Sequence, residues 1–366
     1  MPDAKFRNSK LVKSIARRYE KPGLRVDVLR HLVDIVPGVT DPLDNSGRDV
    51  LLGRREWESY DTRHRNRAVG FLPRDYLVGR HMLRPPIVFT PSPRTAFVEE
   101  EQADMIGTPK VVFRYRDVPM AALAAKNEVP VKPLLALVPR LKATPTEDLA
   151  VILNSRLFHF YWQRYFPRRT GQPATPAADR LAGFRVPILS QKAGVEFRKA
   201  RDQLLALASG NSDRLNAMDQ VDRIADQAGV QLVPLAQTEG IIREINVPRP
   251  LGDVADVRRR GPVVIFRRGS TIVTTTEEAA TYLEFWLQQR FDQLKGMGRE
   301  DLENYIRMPM STAHVVVILQ RRARLEGEIA EVQTRIDALQ REAEDHLYEA
   351  YAFEEAERDH LRAAVA

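Results

Sequence analysis

The chain has 366 residues, 43% of them hydrophobic, no cysteine, and a net charge of +7. Its size and apolar content fit two or three domains with real cores; the missing cysteine excludes disulfides, thiolate metal sites and cysteine nucleophiles, and no apolar run of about 18 residues marks a membrane span. The charge is uneven: residues 1–200 hold 35 Lys+Arg against 21 Asp+Glu (+14), whereas 201–366 hold 21 against 28 (−7), so the first half suits a polyanion.

Residues 9–36 read as two short helices, near Leu11–Tyr19 and Val26–Val36, ended by Pro37-Gly38 and by Asp41-Pro42 and Asn45-Ser46-Gly47. Residues 50–100 contain nine arginines and no lysine, with short apolar pieces such as Ile87-Val88-Phe89 between prolines, and read as strands and loops. Two or three strands are expected over 110–140. A helix is expected over Glu147–Tyr165, with Thr146 as its cap and Pro167 as its stop. Phe184–Ile188 reads as extended. Helices follow at about Gly194–Ser209, stopped by Gly210-Asn211-Ser212, and at Arg214–Gln227.

Further on, Val263–Phe266 and Thr271–Val273 form a strand pair around Arg267-Arg268-Gly269-Ser270, and Glu277–Leu294 reads as a helix. Arg258-Arg259-Arg260 before Gly261-Pro262 reads as an exposed basic loop. This block weakly echoes the earlier one: an apolar strand carrying Phe-Arg, then a helix with leucine, phenylalanine and tryptophan. Ile318, Leu325, Ile329, Val332, Ile336, Leu339 and Ala343 settle into three-four spacing after Leu325, the seam of an antiparallel helical pair or of a helix that docks a partner.

The candidate chemistry is binding. Arg54, Arg55, Arg67, Arg74, Arg80 and Arg84 are dense enough to clamp phosphates or read guanine edges, although neighbouring acids must engage some of them. Lys110, Arg114 and Arg116 lie on a predicted strand, where Arg114 and Arg116 share a face opposite Phe113 and Tyr115. Arg156, Arg164, Arg168 and Arg169 lie on and just beyond the aromatic helix, whose Leu157, Phe158, Tyr161, Trp162 and Tyr165 read as core. The histidines show no metal-ligand spacing. Leu325, Ile329, Val332, Ile336 and Leu339 are the candidate partner contacts.

Four stretches carry a family resemblance. Val151-Ile152-Leu153-Asn154-Ser155-Arg156-Leu157-Phe158, placed some thirty residues after Lys110–Arg116, is close to the helix of the TaqI-like target recognition domain of Eco57I/TaqI-type adenine-N6 DNA methyltransferases. Leu181–Ile188 and Leu52–Tyr60 resemble other parts of that domain. Asp345–Phe353 resembles the tail of the Eco57I-like enzymes. The resemblance covers roughly 50–200 and the last forty residues, and does not reach 230–310.

The family's catalytic half has no counterpart. No Asn/Asp-Pro-Pro-Tyr/Phe sequence occurs, and no glycine-rich loop follows a strand to bind S-adenosylmethionine. The resemblance therefore implies a non-enzymatic specificity subunit that needs no cofactor or metal. It would bind double-stranded DNA and position a separate S-adenosylmethionine-dependent methyltransferase, with a nuclease or helicase, in a restriction-modification or related antiviral setting. The polar start of the chain, which lacks the apolar stretch of a signal peptide, fits the cytoplasm. A structural docking subunit without sequence readout is the alternative, and an enzyme with an active site in 230–310 is a third.

The expected fold class is α+β: a TaqI-like recognition domain of mixed strands and helices, then a long C-terminal coiled-coil helix. The expected divisions are 1–45, an N-terminal helical segment; 46–192, the recognition domain; 193–229, a helical spacer; 230–310, a small α+β domain that is a candidate second recognition half; and 311–366, the coiled-coil helix and tail.

Overall fold

The structure is a computed structural model, and it describes residues 10–20, 26–38, 50–52, 69–72, 77–83, 87–89, 96–97, 108–115, 119–126, 128–140, 146–165, 177–189, 191–218, 220–238, 240–251, 257–266 and 269–363. In chain order the elements are α1 (Lys10–Glu20), β1 (Val26–Val28), α2 (Leu29–Leu32), β2 (Val33–Pro37), β3 (Val50–Leu52), β4 (Val69–Leu72), β5 (Leu77–Gly79), β6 (Met82–Leu83), β7 (Ile87–Phe89), β8 (Ala96–Phe97), β9 (Lys110–Arg114), β10 (Met120–Ala124), β11 (Glu128–Pro130) and β12 (Leu135–Pro139). There follow α3 (Thr146–Leu153), α4 (Arg156–Tyr165), α5 (Ala177–Ala182), β13 (Arg185–Pro187), α6 (Gln191–Met218), α7 (Val221–Gln227), β14 (Leu232–Pro234), β15 (Ile242–Asn246), β16 (Val257–Arg260), β17 (Val263–Phe266) and β18 (Thr271–Thr274). The chain ends with α8 (Glu277–Gln288), α9 (Arg299–Tyr305), β19 (Arg307–Pro309), α10 (Thr312–Ala350) and α11 (Glu355–Ala363). The α+β class and the long C-terminal helix are as expected. Among the described residues, no helix is long and apolar enough to cross a membrane.

The chain divides into two compact units, residues 1–212 with 332–366, and residues 213–331. Both boundaries fall inside long helices, α6 and α10. The tail expected to stand apart from 311 onward is therefore shared between the units.

The first unit is organised on a four-stranded antiparallel sheet in the order β10-β9-β12-β2. Its central strands, Lys110–Arg114 and Leu135–Pro139, are rich in β-branched and leucine residues and are buried on both faces. Helix α3 packs on β9 and β10. Val26–Val36 is strand, turn and strand rather than a helix: β1 pairs with β13 and β2 with β12. Four valines and an isoleucine in this stretch are good strand residues once partners are present, and pairing overrides the helical spacing.

The expected helix Glu147–Tyr165 is broken at Asn154-Ser155. Ser155 Oγ donates to Ile152 O at 2.6 Å and accepts from Phe158 N at 3.2 Å, so the serine caps a new helix, α4. The opposite happens at Gly210-Asn211-Ser212, where α6 runs straight through to Met218. Ser212 Oγ donates back to Ala208 O at 3.1 Å, so it is satisfied within the helix. On α6, Phe197, Ala200, Leu204, Ala208 and Asn211 form a buried stripe of helical period. On the first unit's share of α10, Ile336, Gln340, Ala343 and Leu347 do the same.

Chain ends meet in this unit. The Arg18 guanidinium of α1 bonds Glu354 and Glu357 and donates to Ala352 O at 2.7 Å. Tyr19 stacks on Tyr351 at 5.9 Å, and its hydroxyl accepts from Arg185 N at 2.7 Å.

The second unit holds an antiparallel sheet in the order β15-β18-β17-β16, with α8 packed on it. The expected pair Val263–Phe266 and Thr271–Val273 is β17 with β18. Arg258-Arg259-Arg260 is edge strand β16 rather than a loop, turned back into β17 by Gly261 at φ +57° and Pro262. Val264, Phe266 and Ile272 point to the core, where Ala279, Leu283 and Trp286 of α8 meet them. The expected helix Glu277–Leu294 ends at Gln288, and a short 3-10 turn, Phe291–Leu294, follows.

Gly38 closes the end of β2 against the turn that precedes β12. A Cβ there would lie 2.7 Å from Pro130 O, 2.8 Å from Val131 C and 2.9 Å from Leu134 O, all backbone atoms that cannot give way. Gly38→Ala is expected to destabilise the first unit by about 1–3 kcal/mol, read as a lower urea midpoint at unchanged slope.

Candidate nucleic-acid interface

The resemblance-bearing helix pair lies against the outermost strand of the first unit's main sheet. Asn154, fully buried, takes up the backbone of Ala121 in β10: its Oδ1 accepts from Ala121 N at 2.9 Å and its Nδ2 donates to Ala121 O at 2.8 Å. Nδ2 also donates to Ala150 O at 3.0 Å. His81, in the turn between β5 and β6, donates its own N–H to Ala121 O at 3.0 Å. An edge strand leaves such groups exposed to wrong partners, and the asparagine occupies them.

His81 adopts φ +64° and is 6% exposed, and its Nε2 sits 2.9 Å from Gln340 Oε1 of α10. Gln340 Nε2 in turn donates to Val151 O at 3.2 Å and to Glu344 Oε1 at 3.3 Å. One polar network thus joins the β5–β6 turn, the α3–α4 break and the C-terminal helix.

The cations predicted to contact DNA are distributed unevenly. Arg54, Arg55, Arg67, Arg74, Arg84, Arg116, Arg168 and Arg169 lie outside the described residues. Arg80, Arg114, Arg156 and Arg164 are half-buried, on the β5–β6 turn, the end of β9 and α4. Arg114 donates to Leu77 O at 3.2 Å and approaches Met120 Sδ at 3.0 Å. Arg156 is paired with Glu344 at 3.0 Å.

Lys110 requires a correction. It is fully buried, and Nζ donates to Ala125 O at 3.0 Å, Lys126 O at 3.1 Å and Glu128 O at 2.8 Å. Three carbonyls match the three hydrogens of the ammonium, so this lysine ties β9 to the turn beyond β10 and is closed to DNA. Burial pulls its pKa down to about 7, and the charge of Glu128 acts in the opposite direction. The strand that carries it is buried on both faces, so the wet face expected opposite Phe113 is absent over 110–113.

Phe158, Phe160 and Tyr161 of α4 are core, as the spacing implied, and Trp162 is half-buried against them. Phe158 meets Phe184 edge-on at 4.9 Å and Phe113 at 5.6 Å, and Trp162 meets Phe113 at 5.8 Å.

Two of the five residues of the predicted partner seam are used inside the chain. Leu325 is 3% exposed and Ile336 1%, buried by their own units, because an apolar seam closes on the nearest apolar stripe. Ile329, Val332 and Leu339 keep partial exposure. Leu339 lines an open groove of about 530 Å³ with Gln203, Ala206, Leu207, Arg335 and Ala338, where α6 and α10 run side by side in the first unit. Among the described residues, no group of three or more metal-ligating side chains occurs.

No family model matches the chain, and no curated protein does. Distant likenesses occur among solved structures. The HsdS subunit from Thermoanaerobacter tengcongensis is 14% identical at a TM-score of 0.32, covering 90% of this chain and 97% of that one. The S subunit of the type I restriction-modification system from M. genitalium is 11% identical at 0.35, covering 88% and 96%. A chain from a study of the assembly and conformational transition of the type I R-M system is 14% identical at 0.30, covering 94% and 97%. At such scores the likenesses carry no functional argument.

Two outcomes follow from the buried groups. Burial, opposed by the Gln340 bond, holds His81 down to a pKa of about 4, and burial together with Arg80 holds His159 down to about 3. Both values lie below the unfolded value of about 6.5, so the unfolded chain binds these protons first. Stability should be fully present above pH 6.5 and fall as the pH drops toward 4. The drop should be on the order of 3 kcal/mol per histidine, and His159→Phe should flatten the curve of urea midpoint against pH. Lys110→Met should lower stability by about 1–3 kcal/mol by leaving three carbonyls without a donor, read as a lower urea midpoint.

Proposed function

We propose that the chain is a DNA-binding specificity subunit of a restriction-modification or related phage-defence system, with its first unit acting as a TaqI-like target recognition domain. The observation that carries this is a convergence on one unit. The Leu-Asn-Ser helix break, the β9–β10 pair and the half-buried arginines Arg80, Arg114 and Arg156 come together in the part of the chain with a +14 charge balance in 1–200. Phosphate contacts would fix register, and a few base contacts would give specificity.

On this reading the subunit performs no chemistry and takes no cofactor, and a separate adenine methyltransferase, with a nuclease or helicase, acts at the site it selects. Arg54, Arg55, Arg67, Arg74, Arg80, Arg84, Arg114, Arg116, Arg156, Arg164, Arg168 and Arg169 are the proposed DNA contacts. Ile329, Val332 and Leu339 are the proposed partner contacts. The 230–310 segment is a candidate second recognition half. What supports it is the arginines of β16: register places Arg258 and Arg260 beside Ile265 and Val263, on the sheet face turned away from α8.

Fluorescence anisotropy with the full chain and a labelled duplex tests the reading. Affinity should fall steeply as salt rises, with the logarithmic slope counting phosphate contacts. Arg168→Ala with Arg169→Ala should weaken all duplexes alike and lower the slope by roughly one to two. Arg114→Ala or Arg116→Ala should cost about 1–3 kcal/mol on the selected site only. Salt-independent binding, or none, would favour the docking-subunit alternative.

A further inference from the structure

The charges around the C-terminal helix of the first unit do not balance. Glu344, 1% exposed, accepts Arg156 N at 3.1 Å and Gln340 Nε2 at 3.3 Å on Oε1. On Oε2 it accepts the Arg156 guanidinium at 3.0 Å and the Tyr348 hydroxyl at 3.1 Å. Both oxygens are engaged, and burial beside this carboxylate drives the Tyr348 pKa upward.

Arg80 lies in the field of the same carboxylate and of Arg156. Among the described residues, its one hydrogen-bond partner is His159 Nδ1 at 3.5 Å. His159 cannot neutralise it: Nε2 faces Pro119 O at 3.0 Å, and burial keeps the ring uncharged. Asp337 also attracts Arg80, more weakly than Glu344, from an exposed position where solvent and salt screen it. Among the described residues, two guanidiniums therefore share one buried carboxylate.

Desolvation lowers the Arg80 pKa, as expected for a cation short of a counter-charge. Arg156 adds a second sign: its Nε is buried with no hydrogen-bond partner among the described residues. A half-buried cation that shares its counter-charge is relieved by a tetrahedral oxyanion, which the outer nitrogens of forked guanidiniums can grip.

We propose that Arg80 and Arg156 form a clamp for one backbone phosphate of duplex DNA, and that Glu344 is the positioning residue that holds the clamp. The proposal rests on the DNA reading above and deepens it. It gives the C-terminal helix a part in DNA contact without touching DNA itself, since Glu344 fixes Arg156 directly. A phosphate clamp carries no sequence information, so its loss should not depend on the duplex chosen.

The test uses the full chain, a labelled random-sequence duplex and a salt titration. Arg80→Met keeps an apolar stem of similar length and should lower the logarithmic salt slope by about one on every sequence. Glu344→Gln should lower both slope and affinity in protein that melts cooperatively. A wild-type slope in Arg80→Met overturns the clamp, and a wild-type slope in Glu344→Gln overturns the positioning role. If Glu344→Gln does not fold, Tyr348→Phe replaces it, with an expected loss in affinity of about two- to fivefold; unchanged affinity there also overturns the positioning role. A second arm separates the clamp from the DNA reading: melting in sodium phosphate against sodium chloride at equal ionic strength. Phosphate should raise the wild-type midpoint and not that of Arg80→Met. Protection in the wild type without duplex binding would keep the anion clamp and remove DNA as its ligand, whereas equal midpoints in the two proteins would overturn the clamp.

Discussion

The free edge of the first unit's main sheet is the constraint on which the rest depends. Strand β10 is outermost, and the N–H and C=O of Ala121 face outward from it. Asn154 meets both with one planar amide, as a neighbouring strand would. To do so it must leave the helix, and Ser155 must start another. The direction of α4 follows from that break. The aromatic cluster of Phe113, Phe158, Trp162 and Phe184 follows from the direction of α4. His81 and Gln340 then close around the asparagine, so the β5–β6 turn and the C-terminal helix are fixed by the same few bonds. A buried polar network of this kind specifies one arrangement because a half-satisfied version is costly.

Much of the architecture was legible in the residues. The β17–β18 pair announced itself by two apolar runs around Gly269, the long terminal helix by its three-four spacing, and the start of α3 by Thr146; Pro167, the expected stop, lies outside the described residues. What stayed hidden depended on distant partners. Val26–Val36 has helical spacing and strand-forming residues, and only β13 and β12, more than ninety residues on, decide between them. Gly210-Asn211-Ser212 has the composition of a stop, yet packing of the α6 stripe carries the helix through. The partners of Val151 and Arg156 on α10 lie some 190 residues away, beyond any local motif.

Lysine and arginine counts overstate the charge available at the surface. Lys110 is surrounded by carbonyls, Arg201 is bound to Asp148 and Asp202, Arg18 to Glu354 and Glu357, and Arg156 to Glu344. These cations join separate pieces of the first unit. An arginine-rich half is thus in good part a scaffold, and its net charge is not a count of free surface cations.

The first unit is discontinuous in the chain. Its N-terminal helix is bonded to residues 339 positions later, and 332–366 complete a fold begun at the other end of the sequence. Contacts of such separation make folding slow. During synthesis the first 212 residues must wait, with the carbonyl of Val151, the Arg156 guanidinium and one side of α1 unsatisfied, while the whole of 213–331 is made. The second unit, continuous and with its own core, can fold in that interval. The carboxylates that Arg18 and Arg156 need, Glu344, Glu354 and Glu357, thus reach the first unit only after the second has been made.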